Sequence, residues 1–389
     1  MSRTADNREV VLQRCNQFVG RTMNWMYDHL RCIPRHAPLV LCDQLEHRDE
    51  FPLLEARSLK VGHLSRRIWR HFRGERLYPS DAMWLRQRRP ALLHSHFGYV
   101  ALGDFELRRF LDVPWLVSFY GADVYQQGRL QVWQDRYSKL FKQVGLVLAL
   151  GPRMATRLES LGCPKEKILV HSLGVDIEAL PCRQRSLSGG APLRILFAGT
   201  FREKKGIEYL IEGAAKARKR GVRLHLTLVG DASDKPGDAE TKESVIRDIN
   251  KLGLIDVVDH LPFVIFDTLL HLALKSHLFV APSVTSDDGD AEGTPFVLQQ
   301  MMATGMPVIA TRHSDIPYIF GEHECHLVPE RDSDAIAARI QQYADEPERL
   351  VTEGLALRER IRTAFDVRVC AARLSEIYDS AQAGRTPSK

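Results

Sequence analysis

From Asp290 to Thr311 the chain reads DAEGTPFVLQQMMATGMPVIAT, which sets an acid, a Gly-Thr-Pro turn, a helical pattern and an apolar strand in succession. Thr294 suits an N-cap and Pro295 the first helical position, so the spacing predicts a helix from there, with Phe296, Val297, Leu298, Met301 and Met302 on its buried side. The unsatisfied N–H groups of such a helix start, together with the positive end of its dipole, favour a phosphate just ahead of Pro295. Glu292 stands beside that spot and can take hydroxyl groups. A ligand carrying both phosphate and hydroxyls, such as a nucleotide sugar, fits the pair.

A second stretch, LRILFAGTFREKKGIEYLIEGA, reads as a strand, a turn at Gly199, a basic loop and a helix after Gly206. A departing diphosphate needs cations aimed at oxygens whose charge grows in the transition state, and Lys205 and Arg202 sit on the loop that would supply them. A solvated loop of mixed charge is the plainer reading of the same residues.

Together these runs resemble the signature of the retaining glycosyltransferases of family four. In that family an acid followed by Gly-x-Pro holds the transferred sugar, and a second acid eight positions on holds the ribose. Glu292, with Gly293, Thr294, Pro295 and Phe296, matches the first part, while Gln300, an amide, stands at the second. The basic loop resembles the family's Gly-Arg followed by Glu-Lys-Lys-Gly. Lys205 matches its diphosphate-gripping Lys; Thr200 occupies the usual Arg position after Gly199, and Arg202 becomes its substitute. Gly230 and Asp231 correspond to the edge of the family's donor pocket. Phe263 and Val264 correspond to the segment whose backbone reads the nucleobase, although Pro262 stands where Gly is common.

In the first half, Tyr120, Gly121 and Asp123 fall where the family has Phe-His-Gly-x-Asp near the reacting sugar, with Tyr120 in place of the His. His96 precedes Gly98 on a neighbouring strand-to-loop element; a satisfied strand-end histidine is the plain alternative. The loop before Asn24 and Trp25 is the expected acceptor entrance. The resemblance implies a GT-B fold, two Rossmann-like domains facing across a cleft. It further implies metal-independent, retaining transfer of a hexose from a UDP- or GDP-sugar to a glycan or lipid-linked acceptor, as in bacterial exopolysaccharide assembly, without a cofactor.

The elements that must position these residues alternate short apolar runs with helical patterns, the reading of parallel α/β domains. Strands are expected at 10–12, 38–41, 92–94, 115–118 and 146–150, and then at 194–198, 225–229, 278–281 and 308–310. The Gly-, Pro- and Ser-rich stretch 181–192 reads as a linker. The expected division is an acceptor-side domain at 1–183, a donor-binding domain at 184–364, and a helix at 365–378 crossing back to the first domain, followed by a disordered tail to 389.

Composition frames this reading. With 389 residues, 44% hydrophobic and 26% charged, the chain is globular and long enough for two cores. A net charge of +5 gives no argument for nucleic acid. Eight of the arginines fall between Leu64 and Pro90, and 64–73 has the pattern of a basic amphipathic helix, so residues 64–89 are the candidate contact with an anionic membrane surface. Seven scattered cysteines without a C-x-x-C pair argue against a zinc site and suit a cytoplasmic setting. The acidic run at Asp287–Asp290 reads as a solvated loop. Departures at Gln300, Thr200 and Tyr120 leave one alternative, a non-catalytic binding protein for nucleotide sugars or glycans on the same fold.

Overall fold

The computed structural model describes residues 8–19, 24–47, 51, 54–59, 69, 71 and 77–384. The chain divides into two compact units, Met1–Gly174 with Val367–Lys389, and Val175–Asp366.

The first unit holds β1 (Glu9–Phe18), β2 (His36–Leu45), β3 (Glu55–Ser58), β4 (Leu92–His96), β5 (Trp115–Phe119), β6 (Leu146–Ala149) and β7 (Ile168–Val170). They form one parallel sheet in the order β3-β2-β1-β4-β5-β6-β7. Buried on both faces, such strands carry runs of apolar residues rather than an alternation. β1 and β2 nevertheless extend to ten residues each, well beyond the expected 10–12 and 38–41. The extra length contains polar side chains satisfied inside the unit. Gln13 is fully buried, and Arg14 reaches Asp43 at 2.6 Å and Asp104 at 3.2 Å. The helix Val367–Gln382 packs into this unit, where its Tyr378 is buried and receives a hydrogen bond from Gln13.

In the second unit, β8 (Leu193–Ala198), β9 (Leu224–Val229), β10 (Val258–Leu261), β11 (Leu278–Ala281), β12 (Val308–Thr311) and β13 (Leu327–Val328) form a parallel sheet ordered β10-β9-β8-β11-β12-β13. Successive residues of β8 divide between two cores. Ile195 and Phe197 join Leu210, Ile211 and Ile336, while Leu196 and Ala198 join Leu298, Met301 and Met302 of the helix Phe296–Ala303. Strand order reverses between β8 and β11, and the crevice outside the carboxyl ends at such a reversal is where open α/β sheets bind ligands. The loops after β8 and β11 carry the residues predicted to act.

Two expectations need correction. Residues 175–183 belong to the second unit, because the Val175 N–H donates to Phe365 and the Arg183 N–H to Thr304 within it. The boundary therefore precedes the Gly-, Pro- and Ser-rich stretch. The helix expected from Pro295 begins at Phe296: Pro295 is its cap residue, with an extended ψ of 117°, and the Thr294 side chain makes no capping bond. Most of the basic segment 64–76 lies outside the described residues, as do residues 385–389 of the expected tail. The described helix Pro79–Arg88 engages its arginines locally, Arg88 with Glu55 at 2.7 Å and Arg86 over the Phe110 ring. Among the described residues no helix is long and apolar enough to cross a membrane.

Two glycines let the loops meet. Gly206 has a φ of 59°, and a Cβ there would lie 2.0 Å from the Pro282 carbonyl oxygen, while one on Gly230, φ 139°, would lie 1.9 Å from that of Gly199. Backbone cannot yield as a flexible side chain can. Gly206→Ala is therefore expected to destabilise the second unit by about 1–3 kcal/mol, measured by denaturant titration followed by circular dichroism; an unchanged midpoint contradicts the close approach.

Candidate functional site

The loop after β8 and the loop after β11 are laced together by backbone N–H groups of the second. The Val284 N–H donates to the Lys204 carbonyl at 2.9 Å, and the Asp287 N–H to Glu203 Oε1 at 2.8 Å. Glu203–Lys205 forms a single 3-10 turn that ends at Gly206, which turns three consecutive residues, Arg202 to Lys204, and then Lys205 toward the acid-bearing loop. Lys205 Nζ lies 3.1 Å from Glu292 Oε1, and its stem passes over Gly199. Lys204 Nζ donates to Asp290 Oδ1 at 3.2 Å and to the Ala291 carbonyl at 3.1 Å, and stands 3.6 Å from Glu292.

Glu292 is the electrostatic focus. Burial alone would raise its carboxyl, but the ammonium groups of Lys204 and Lys205 outweigh that and hold it at about 2, so it is ionised at neutral pH. Its backbone N–H donates to His313 Nε2 at 2.9 Å. Beside it Gly293, Thr294 and Pro295 are buried, and Thr294 Oγ1 has no hydrogen-bond partner among the described residues. Phe296 and Gln300 are half-buried on the helix that follows. Gln299, fully buried with neither amide atom hydrogen-bonded, had not drawn notice in the sequence.

Arg202 is placed differently from its predicted role. Its Nε lies 3.2 Å from Asp238 and its Nη2 3.2 Å from Asp290, both nearly buried carboxylates, so both ends of the guanidinium are committed within the protein. The acidic run is likewise no uniformly solvated loop. Asp290 is 2% exposed, and Asp288 accepts from Ser286 Oγ and from the Asp290 N–H. The adjacent Lys204-Lys205 pair was the available signal that a lysine other than Lys205 takes part.

Other donor-side candidates gather at the same sheet edge. Gly199 and Gly230 abut, the Phe201 N–H donates to the Asp231 carbonyl, and the Gly230 N–H donates to Leu261 at the end of β10. Thr200 is half-buried on this edge. The Asp231 carboxylate is engaged by Lys242 at 2.6 Å and by the Ala232 N–H, which lower its pKa. Phe263, two residues beyond β10, is 58% exposed, whereas Val264 packs against the core.

In the first unit, Tyr120 and His96 are joined at 2.6 Å between the hydroxyl and Nδ1; His96 Nε2 meets Gln13 Oε1 at 2.9 Å. Tyr378 and Ser118 flank His94 at 2.7 and 2.8 Å. Trp25 packs on Tyr120 with ring centroids 4.9 Å apart. The Asn24 side chain lies outside the described residues. Asp123 is fully buried, and its carboxylate accepts the N–H groups of Gly98, Tyr120 and Gly121. Its place is that of a staple between two loops rather than a group presented to an acceptor. Burial holds His96 down to about 3 and His29 to about 4, and holds His94 and His171 well below the ordinary imidazole range.

Residues 182–362 match the family described as Glycosyl transferases group 1, and residues 34–179 match Glycosyltransferase Family 4. The amylovoran biosynthesis glycosyltransferase AmsK of Erwinia amylovora is 31% identical over 289 residues, 73% of this chain and 69% of that protein. The putative colanic acid biosynthesis glycosyltransferase WcaL of Escherichia coli K12 is 30% identical over 294 residues, 74% of this chain and 70% of that one. Among solved structures, Anabaena HepE in complex with UDP and glucose aligns with a TM-score of 0.74 at 17% identity, covering 95% of this chain and 99% of that one.

The buried histidines make acid stability a test of the first unit. An unfolded imidazole takes up its proton near pH 6.5, which the folded His29 and His96 resist until about pH 4 and pH 3. Their contribution is therefore present above pH 6.5 and lost as pH falls, by about 3 kcal/mol for His29 alone at pH 4. All five tryptophans lie in the first unit. Tryptophan fluorescence is expected to report a melting temperature that drops between pH 6.5 and 4, and a flat profile contradicts neutral burial.

Proposed function

The chain belongs to the group 1 glycosyltransferases, in family four, with the GT-B fold, and from that membership we propose that it transfers a hexose with retention from a nucleoside-diphosphate sugar to a hydroxyl of a glycan or lipid-linked acceptor. The observation that carries this reading is the ionised Glu292 held 3.1 Å from Lys205, on loops that leave neighbouring strands at the reversal point of the second sheet. A carboxylate fixed as the anion accepts hydrogen bonds from sugar hydroxyls, and Lys205 meets the charge that grows on the leaving diphosphate. Lys204 takes the supporting part beside it, while Arg202 holds the loop through Asp238 and Asp290. The start of the helix Phe296–Ala303 adds its N–H groups on the phosphate side.

The anomeric carbon–oxygen bond to the diphosphate breaks as the acceptor oxygen bonds to the same face of the sugar. The proton of the acceptor hydroxyl passes to the departing phosphate oxygen, so the chain's own groups bind, orient and balance charge without an enzyme nucleophile or a metal. Gln300 serves the ribose with a neutral amide, and Gly230, Phe263 and Val264 border the nucleobase. Acceptor contacts are assigned to Tyr120 of the first unit, with His96 behind it holding the phenol. The names of AmsK and WcaL support an exopolysaccharide acceptor, and the UDP of the HepE structure makes UDP-sugars the first donors to try.

A hydrolysis and transfer screen over UDP- and GDP-sugars tests the reading, and no turnover with any donor overturns it. With the donor found, Lys205→Ala is expected to lower turnover about a hundredfold, equivalent to about 3 kcal/mol, in a chain that stays folded by circular dichroism, with Lys204 still facing Glu292. Gln300→Glu is expected to shift nucleotide affinity by no more than about 1 kcal/mol, read by calorimetry; a larger loss removes Gln300 from the ribose.

A further inference from the structure

Glu292 is anchored through its backbone as well as its carboxylate, and the anchor leads away from the lysines. Its N–H donates to His313 Nε2 at 2.9 Å, and His313 is fully buried just past the end of β12. A peptide N–H can only donate, so Nε2 must offer its lone pair and Nδ1 must carry the ring proton. Nδ1 lies 2.7 Å from Glu330 Oε1, the acceptor that this tautomer requires. Glu330 Oε2 accepts the Thr285 N–H at 2.9 Å, which returns the chain of bonds to the loop after β11 that carries Glu292. Three loops, after β11, β12 and β13, thus converge on one peptide group.

We propose that His313 and Glu330 act as a positioning couple, which sets the Glu292 peptide so that its carboxylate meets the hydroxyls of the donor sugar. This rests on the donor reading given above, and it concerns the sugar rather than the nucleotide. Neither residue of the couple touches substrate; each acts through Glu292. Small misplacements of such a group lower rates steeply, since orientation is worth orders of magnitude.

The test separates sugar from nucleotide. Affinities for UDP and UDP-glucose, or GDP and GDP-mannose where the wild type prefers guanine, are measured by calorimetry alongside donor turnover. His313→Leu removes both hydrogen bonds, whereas in His313→Gln the side-chain amide can accept from the Glu292 N–H and donate toward Glu330. The expected result for His313→Leu is a nucleoside diphosphate affinity within about twofold of wild type and a turnover lowered about ten- to a hundredfold. His313→Gln recovers most of that loss, and Glu330→Ala reproduces part of it in a chain whose His313 is intact. Equal losses for nucleotide and nucleotide sugar in both His313→Leu and Glu330→Ala mark a merely structural role and overturn the proposal, as does unchanged turnover in His313→Leu. A wild type that binds none of the four probes overturns the donor reading itself, and this one with it.

Discussion

Asp290, 2% exposed, takes Arg202 on one oxygen and Lys204 on the other, and through that one carboxylate the basic loop and the acidic loop become a single body. Around it stand Arg202, Lys204 and Lys205 against Asp238, Asp290 and Glu292, a set whose formal charges cancel. Cancellation matters because an uncompensated buried charge is costly, and removing one partner of such a pair commonly costs about 3–5 kcal/mol. The cluster does not serve mainly as a source of stability, since apolar residues could fill the same volume as well. Its value lies in direction: each cation has one place to point, and Glu292 stays anionic although burial favours its neutral form.

The sheet makes that arrangement available. Adjacent strands β8 and β11 end side by side where the strand order reverses, so their two following loops are neighbours though about eighty residues apart. Gly206 against the Pro282 carbonyl and Gly230 against that of Gly199 permit backbone contact where any side chain would hold the loops apart. The helix Phe296–Ala303 is then fixed by Leu298, Met301 and Met302 in the core beneath, so the approach to its first turn is set by apolar packing.

What could be read from the sequence was what is local. The order acid, Gly-Thr-Pro, helix, strand marked Glu292 and its surroundings, and the Lys-Gly end of the basic loop marked Lys205. What could not be read was pairing across the fold. Arg202 looked available because Asp238 and Asp290 are distant in the chain, and the acidic run looked solvated because nothing local says that Asp290 turns inward. His313 carried no signal at all, its role being set by Glu330 and the Glu292 backbone together. The long β1 and β2 were cut short on paper by Gln13, Arg14 and Asp43, polar groups whose partners lie on other strands and loops. β7 and β13, of three and two residues, are too short to hold a pattern.

The bonds around Tyr120 have a sense of direction. Gln13 Oε1 accepts from His96, so His96 carries its proton on Nε2, and its Nδ1 is left to receive the Tyr120 hydroxyl. The Gln13 amide nitrogen in turn donates to Tyr378, whose hydroxyl meets His94 Nδ1, and His94 Nε2 meets the Ser118 hydroxyl. One amide thus links the two imidazoles, fixing the tautomer of His96. At its head Tyr120 has spent its only hydrogen on His96, so its oxygen can serve any further polar neighbour only as an acceptor: a hydroxyl or an amine can bond to it, whereas a carbonyl or ether oxygen cannot.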